Sequence, residues 1–575
     1  MAVLTLAIGA GSSTVAAQVV NTQTQQMRPG GPARDARPPT ATGTAVIRGR
    51  IFAADTGRPL RRARIIASAP ELGPEPRQTS TNIDGRYEIK ELPAGRYNVT
   101  VTRAGYLQLQ YGQRRPLEQG KPLQVLDKQA VENIDFSLPR MSVITGRVLD
   151  EMNEPVAGAQ VMAMRSTYFD GRRRLVPAGG GPGGGQTDDG GQFRILGLPP
   201  GTYYVRAMMR DTWTVSENGV EQTYGYAPTY FPTTSNVSDA RRITVGIGQE
   251  ASNNDIALIP GRAVSVSGTA FDSHGRPLAG QSVGLTQETR GPGMAMMMSA
   301  GNGSVNADGT FTIKNVPPGE YKLMARGSSD RGTEAAALPI LVNGIEIDNV
   351  SLVTVGGGLI SGQIVADTGG APSMPRDRVR VAARIANGDF DPRMGAPGGG
   401  NPDNGRPKDD WTFTLTDVYG PVRLRVTLPD GWMVKTIVQN DREIAESPLE
   451  LRNGEELSNV QIVVTNKVTT VTGQLTDDKG APVTDGTVIV FSSDSAKWAE
   501  DSRFVRSARP DQQGQYQIRG LPAGEYLAVA VEYVQQGMWN DPEFLESLRR
   551  YAQRITLSEG NAVSLALRVT TVETQ

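Results

Sequence analysis

A block of sixteen residues, Asn/Asp-x-x-Gly-x-Phe/Tyr-x-Ile-x-x-Leu/Val-Pro-x-Gly-x-Tyr, occurs four times in this 575-residue chain without insertion or deletion. The copies run from Asn82 to Tyr97, Asp188 to Tyr203, Asn306 to Tyr321 and Asp511 to Tyr526. Each fixed position has a backbone reason. Asn or Asp with Gly three residues later suits the ends of a type I turn, where the short side chain caps and Gly accepts positive φ. The aromatic residue and the Ile two positions on share one strand face. Pro then ends pairing, because it has no N–H. A second bend is permitted by Gly95, Gly201, Gly319 and Gly524. The closing tyrosines, Tyr97, Tyr203, Tyr321 and Tyr526, restart a strand, and their hydroxyls are expected to return to the backbone as in a tyrosine corner. Folding accounts for the block, and no chemistry is assigned to it.

A second motif opens each unit: Gly-x-apolar, then Asp, then Pro with Leu or Val. It stands at Gly49 to Pro59, Gly146 to Pro155, Gly268 to Pro277 and Gly473 to Pro482. A weaker start at Gly362 has its Pro displaced. Alternating apolar residues close the units after Asn133, Asn254, Asn349 and Asn459, and again from Val563. The reading is an all-β tandem array of five immunoglobulin-like (prealbumin-like) β-sandwich domains, at 45–140, 141–261, 262–356, 357–466 and 467–571. The fourth is diverged: Tyr419-Gly420-Pro421 replaces the Pro-x-Gly bend, and Arg423 stands where the tyrosine belongs.

Composition removes several function classes. Gly (67) and Pro (38) with 38% hydrophobic residues fit short strands joined by many turns. A net charge of −1 offers no polybasic field for nucleic acid. The absence of cysteine rules out disulfides, thiolate zinc sites and cysteine nucleophiles. The single histidine, His274, lies in a turn sequence, too few for a catalytic zinc and poorly placed for a Ser-His-Asp triad. Asp188, Asp189, Asp308 and Asp511 read as turn caps, since EF-hand spacing is absent. The expectation is no catalytic residue, no metal, no cofactor and no enzyme.

Residues 1–17 read as a signal-peptide-like segment, with an apolar run from Ala2 to Ala10 and small residues before Gln18. Residues 18–44 read as a disordered leader. The apolar run is too short to span a bilayer, and no later stretch does so. The expected location is exported: periplasmic, cell-surface or secreted.

The segments between the block and the closing strands carry aromatics. Unit two has Trp213, Tyr224, Tyr226, Tyr230 and Phe231, unit one Tyr106 and Tyr111, and unit five Trp539, Phe544 and Tyr551 beside a short helix expected within Pro542 to Gln553. Two readings stay open: the rings pin a long excursion to the sandwich, or the unit-two rings bind a sugar or peptide. Three Gly-rich stretches, Pro177 to Gly185, Gly291 to Gly303 with its methionines, and Gly395 to Gly405, read as flexible loops.

The motifs Gly146-Arg147-Val148 to Pro155-Val156, and Asp511 through Leu521-Pro522-Ala523-Gly524-Glu525-Tyr526, resemble the carboxypeptidase regulatory-like domain family. That family is similar to prealbumin-like and Cna-B-type sandwiches. The resemblance covers units one, two, three and five well and unit four weakly. It implies a non-catalytic accessory or surface module. Cna-B relatives can form Lys–Asn/Asp isopeptide links, but the opening strands lack a consistently placed Lys; Arg48 and Arg147 flank the Gly instead.

The functional expectation is a non-enzymatic exported rod with short joints, for example Pro139-Arg140-Met141 and Pro260-Gly261-Arg262, about 150–200 Å long if extended, acting as a structural, spacer or adhesive surface protein. One alternative is a carbohydrate-binding array using the aromatic loops. Another is an accessory subunit or regulator of an exported hydrolase or outer-membrane transporter. Surface glycans or other envelope proteins are the expected partners. The sequence sets no oligomeric state.

Overall fold

The computed structural model describes residues 42–571 apart from 74, 115–117, 170–171, 179–184, 292–293, 330–331, 387–402, 452, 500 and 536. The signal-like segment, most of the leader, and most of the first and third Gly-rich stretches lie outside the described residues.

Alternation of apolar and polar residues builds the strands. Ala45–Ala53 buries every second side chain at its two ends, and Gly95–Thr102 does so throughout. The opening strand Ala45–Ala53 pairs antiparallel with Arg86–Leu92 of the block and parallel with the closing strand Phe136–Leu138. Facing it, Arg64–Ser68 pairs antiparallel with the tyrosine strand Gly95–Thr102. The same pairings recur at Ser142–Leu149, Val264–Phe271, Gly358–Ala366 and Thr470–Thr476, each antiparallel to a block strand and parallel to a closing strand. The fold is all-β and immunoglobulin-like. Its one α-helix among the described residues is Pro542–Leu548.

Buried apolar side chains gather in separate clusters drawn from 45–138, 144–258, 264–352, 360–464 and 471–567. We refer to these stretches as the first to fifth segments. The fifth also has a second cluster, where Phe544, Leu545 and Leu548 of the helix cover Ile489, Phe491, Leu527 and Val529.

The opening Gly is fixed by a close approach. A Cβ on Gly49 would stand 2.0 Å from the carbonyl oxygen of Ile134, and the distances at Gly146, Gly268, Gly362 and Gly473 are 2.2, 2.0, 1.9 and 1.8 Å to the carbonyl oxygens of Asn254, Val350, Val460 and Leu565. Any side chain would push the closing strand away. The residues that precede or begin this approach, Asn133, Asn253, Asn349 and Asn459, have φ of 61°, 62°, 60° and 61°. Asn tolerates this left-handed region better than most residues, which explains the closing Asn at 133, 349 and 459; in the second unit the left-handed residue is Asn253 and not the expected Asn254.

Position ten of the block carries no fixed residue type, yet it is left-handed in every segment. Glu91, Gly197, Asn315, Asp417 and Gly520 have φ of 58°, 81°, 57°, 55° and 76°. In the first four the register of the opening strand shifts beside it, as a β-bulge requires.

Three expectations are corrected. The Met-rich stretch is a strand, Met294–Ser304, paired along Ser282–Gly291, rather than a loop; backbone pairing has captured its Gly-rich sequence. The supposed joint Pro260-Gly261-Arg262 is part of a strand, Ile259–Arg262. The linear rod fails because the fifth segment contacts the first. Arg509 of the fifth is wholly buried and pairs with Glu118 at 3.1 Å, while donating to the carbonyls of Gln119 at 2.5 Å and Gly112 at 3.3 Å. Asp485 takes Arg509 at 2.5 Å, Lys121 at 3.3 Å and Arg114 at 3.0 Å.

Candidate functional site

The block tyrosines spend their hydroxyls on the backbone. Tyr97, Tyr203, Tyr321 and Tyr526 donate to the carbonyls of Pro93, Pro199, Pro317 and Pro522, each four residues earlier, at 2.7, 2.5, 2.9 and 2.7 Å. Burial pushes the hydroxyls of Tyr97 and Tyr321 up to about 12, so they are neutral donors and not acids at physiological pH. The adjacent Gly95, Gly201, Gly319 and Gly524 begin the tyrosine strands. Tyr87 and Tyr516, at position six, donate to the same Ile134 and Leu565 carbonyls that crowd Gly49 and Gly473, at 2.7 and 2.6 Å.

Turn carboxylates are occupied in the same way. Asp188 Oδ1 accepts from Gly190 N and Gln192 N at 3.0 and 2.8 Å, and Asp511 Oδ1 accepts from Gln513 N and Gln515 N at 2.9 and 2.9 Å. Among the described residues no three acidic, His or Cys side chains are grouped to hold a metal. His274 is exposed in its turn. The neighbouring Ser273 hydroxyl lies 3.2 Å from His274 Nδ1 but donates to buried Glu334 at 2.6 Å, and Thr354 donates to the same carboxylate at 2.6 Å.

The unit-two aromatics divide. Thr212–Glu217 and Val220–Ala227 form a hairpin, and its second strand pairs with Ile259–Arg262. On one face Trp213 stacks on Tyr224 with centroids 6.0 Å apart and tilts onto Tyr226 at 4.8 Å. All three are half-buried. The Tyr226 hydroxyl donates to Glu151 at 3.0 Å, and burial with that carboxylate raises its pKa. The opposite face presents Gly225 and Gly261 to Pro317 and Pro318 of the third segment, where a Cβ would stand 3.0 and 2.5 Å from ring carbons. The hairpin thus wedges between the second and third segments. Tyr230 and Phe231 are corrected out of any surface shelf. Both are buried, Phe231 in the second segment's core, because the short strand Thr229–Tyr230 pairs onto the edge of the tyrosine strand and Phe231 N donates to Val205 O at 2.9 Å.

The other aromatics also serve packing. Tyr106 and Tyr111 lean on the first core. Phe544 is buried and Trp539 packs beside it. Tyr551 is exposed under Arg550, at 4.7 Å.

A concave site that no motif marked lies between the fourth and fifth segments. A cavity of about 260 Å³ is lined by Arg425, Arg503, Arg506 and Arg519 with Trp432 and Glu446. Its residues come from separate strands and loops, so no sequence spacing links them.

Residues 46–139 and 143–258 each match the model of the carboxypeptidase regulatory-like domain family. A comparison with the curated proteins finds no match. Among solved structures the chain is similar to the Bacillus anthracis TIE protein at 12% identity, covering 73% of this chain and 69% of that one, with a TM-score of 0.15. A Streptococcal ancillary pilin shares 12% identity over 54% of this chain and 98% of its own, with a TM-score of 0.18. The shaft pilin spaA from Lactobacillus rhamnosus GG shares 16% identity over 38% of this chain and 98% of its own, with a TM-score of 0.19. No helix among the described residues is long and apolar enough to cross a membrane.

Proposed function

We propose that this chain is a non-enzymatic, exported surface scaffold, structural or adhesive, built from five independently folding sandwiches with the boundaries 45–140, 141–261, 262–356, 357–466 and 467–571. One observation carries the reading. The repeated polar groups are consumed by their own backbone, with tyrosine hydroxyls on Pro carbonyls and turn carboxylates on amides. A repeat used up in this way offers folding and a surface rather than a reaction. The fifth-to-first contact favours a folded-back scaffold over a linear spacer. Protease shaving of intact cells of the source organism tests it: loss of the full-length chain without lysis is expected, and full protection overturns surface display. Turnover by the purified chain against ester, peptide or glycoside substrates would overturn the non-enzymatic reading.

A second reading is favoured by the stacked, half-buried Trp213–Tyr224–Tyr226 face. Rings in this arrangement can hold a sugar. Glycan-array binding lost in Trp213→Ala would support it, and no glycan bound at millimolar concentration would sink it.

A further inference from the structure

The cavity between the fourth and fifth segments carries more positive charge than its walls neutralise. Arg503 is already committed. Its Nε donates to Glu446 at 2.8 Å, and Nη1 donates to the carbonyls of Val434 at 3.1 Å and Lys435 at 2.9 Å. These bonds fix the two segments and occupy one oxygen of Glu446. Arg425 gives Nη1 to the carbonyls of Leu424 and Ala445, at 3.1 and 3.4 Å, and lies 3.9 Å from the second oxygen of that carboxylate, while its buried Nε has no acceptor among the described residues. Among the described residues Arg506 gives Nη1 to the carbonyls of Ser502 and Val505, at 2.9 and 2.8 Å. Arg519 is exposed at the rim. Asp501 is the one other acid lining the cavity among the described residues. Burial lowers the pKa of both Arg425 and Arg506, the sign of cations that have lost water without a full replacement.

The adjoining cavity, about 400 Å³, makes a useful contrast. There Lys435 pairs with Glu559 at 2.9 Å, Lys467 with Asp367 at 3.5 Å and Lys497 with Asp494 at 3.9 Å. Its charges are matched, so the surplus belongs to the arginine-lined site. Planar guanidiniums match carboxylate, sulfate and phosphate oxygens bidentately. Half-buried Trp432 and Leu428 supply an apolar wall beside them.

We propose that this cleft is a binding site for a ligand presenting an oxyanion next to an apolar or sugar face, with Arg425, Arg506 and Arg519 receiving the anion and Trp432 the face. The site stands whether or not the chain acts as a surface scaffold. Titration calorimetry on the full chain, with inorganic phosphate, inorganic sulfate and a polygalacturonate oligomer as separate probes, tests it. Saturable, salt-sensitive binding of at least one probe is expected. Arg519→Ala, at an exposed position, should weaken it roughly tenfold. Arg506→Lys keeps the charge but loses the fork and should weaken it as well. Oligomer binding far tighter than either inorganic ion identifies a carboxylated saccharide as the occupant; equal affinities identify a free anion. No saturable binding by any probe, or binding unchanged in both variants, overturns the proposal.

Discussion

In the first segment the turn before the block strand is made by Asn82 and Gly85; in the fourth the same positions hold Lys408 and Trp411. The backbone hardly differs. Gly85 N donates to Asn82 O at 3.1 Å with φ of 71°, and Trp411 N donates to Lys408 O at 2.9 Å with φ of 64°. The cap has moved. Asn82 Oδ1 accepts from Asp84 N and Arg86 N at 3.0 and 2.9 Å, whereas Asp410 Oδ1 accepts from Thr412 N and Oγ1 at 3.0 and 2.7 Å. The crowding differs too. A Cβ on Gly85 would stand 3.0 Å from Pro59 Cβ and 2.6 Å from Ile51 O. Pro59 is held there by a bridge to Phe52, a bridge repeated at Pro155, Pro277 and Pro482 but absent from the fourth segment among the described residues. Without that ring, Trp411 has room to enter the core. The tyrosine corner is likewise exchanged: Arg423 donates to the carbonyls of Glu446 and Ala386, at 3.1 and 3.4 Å. What persists between the two segments is the path of the chain, and the side chains that enforce it are replaceable.

The widest test of that conclusion is the contact both segments share. Gly49→Ala and Gly362→Ala should each cost about 3 kcal/mol or more, the upper end of overpacking, read as a lowered urea midpoint. A tolerated Gly362→Ala would break the comparison. Trp411→Gly is expected to lose about 3 kcal/mol of buried ring and regain about 1 kcal/mol of left-handed strain. The net loss should appear as faster amide exchange confined to 360–464. Tyr97→Phe removes one buried hydroxyl bond and should cost about 1 kcal/mol, with protection lost in 45–138 alone. Glu91→Gly should raise stability by about 1 kcal/mol, since Gly carries no penalty at positive φ.

The smallest effect concerns acid. The bonds from the Thr412 hydroxyl and then its amide hold the Asp410 carboxyl below its ordinary value of 3.8. That contribution is complete above the ordinary value and is lost as pH falls through the depressed one. Asn82 does not titrate. Asp410→Asn should therefore flatten the acid limb of thermal unfolding in the fourth segment and leave the first unchanged.

Sandwich strands, turns and tyrosine corners were legible because Gly, Pro, Asn and Tyr each answer to a local backbone demand. The bulge at position ten was hidden, since Glu91, Gly197, Asn315 and Asp417 share a conformation without sharing a side chain. Pro260-Gly261 reads as a joint because its strand partner, Gly225-Tyr226, lies far back in the chain, a pairing that local propensity does not encode. The arginine cleft was illegible for a related reason. Arg425 and Arg506 meet only after two segments pack, and the opening-to-closing motifs describe each segment alone.

Arg509 joins chain regions that lie 390 residues apart in sequence at Gln119. A buried charge pair that loses one partner typically costs about 3–5 kcal/mol, so this clasp resists parting. A protease that nicked one intervening loop would leave the fragments bound to each other, and the cut would show on a denaturing gel long before it showed in the hydrodynamics of the native particle.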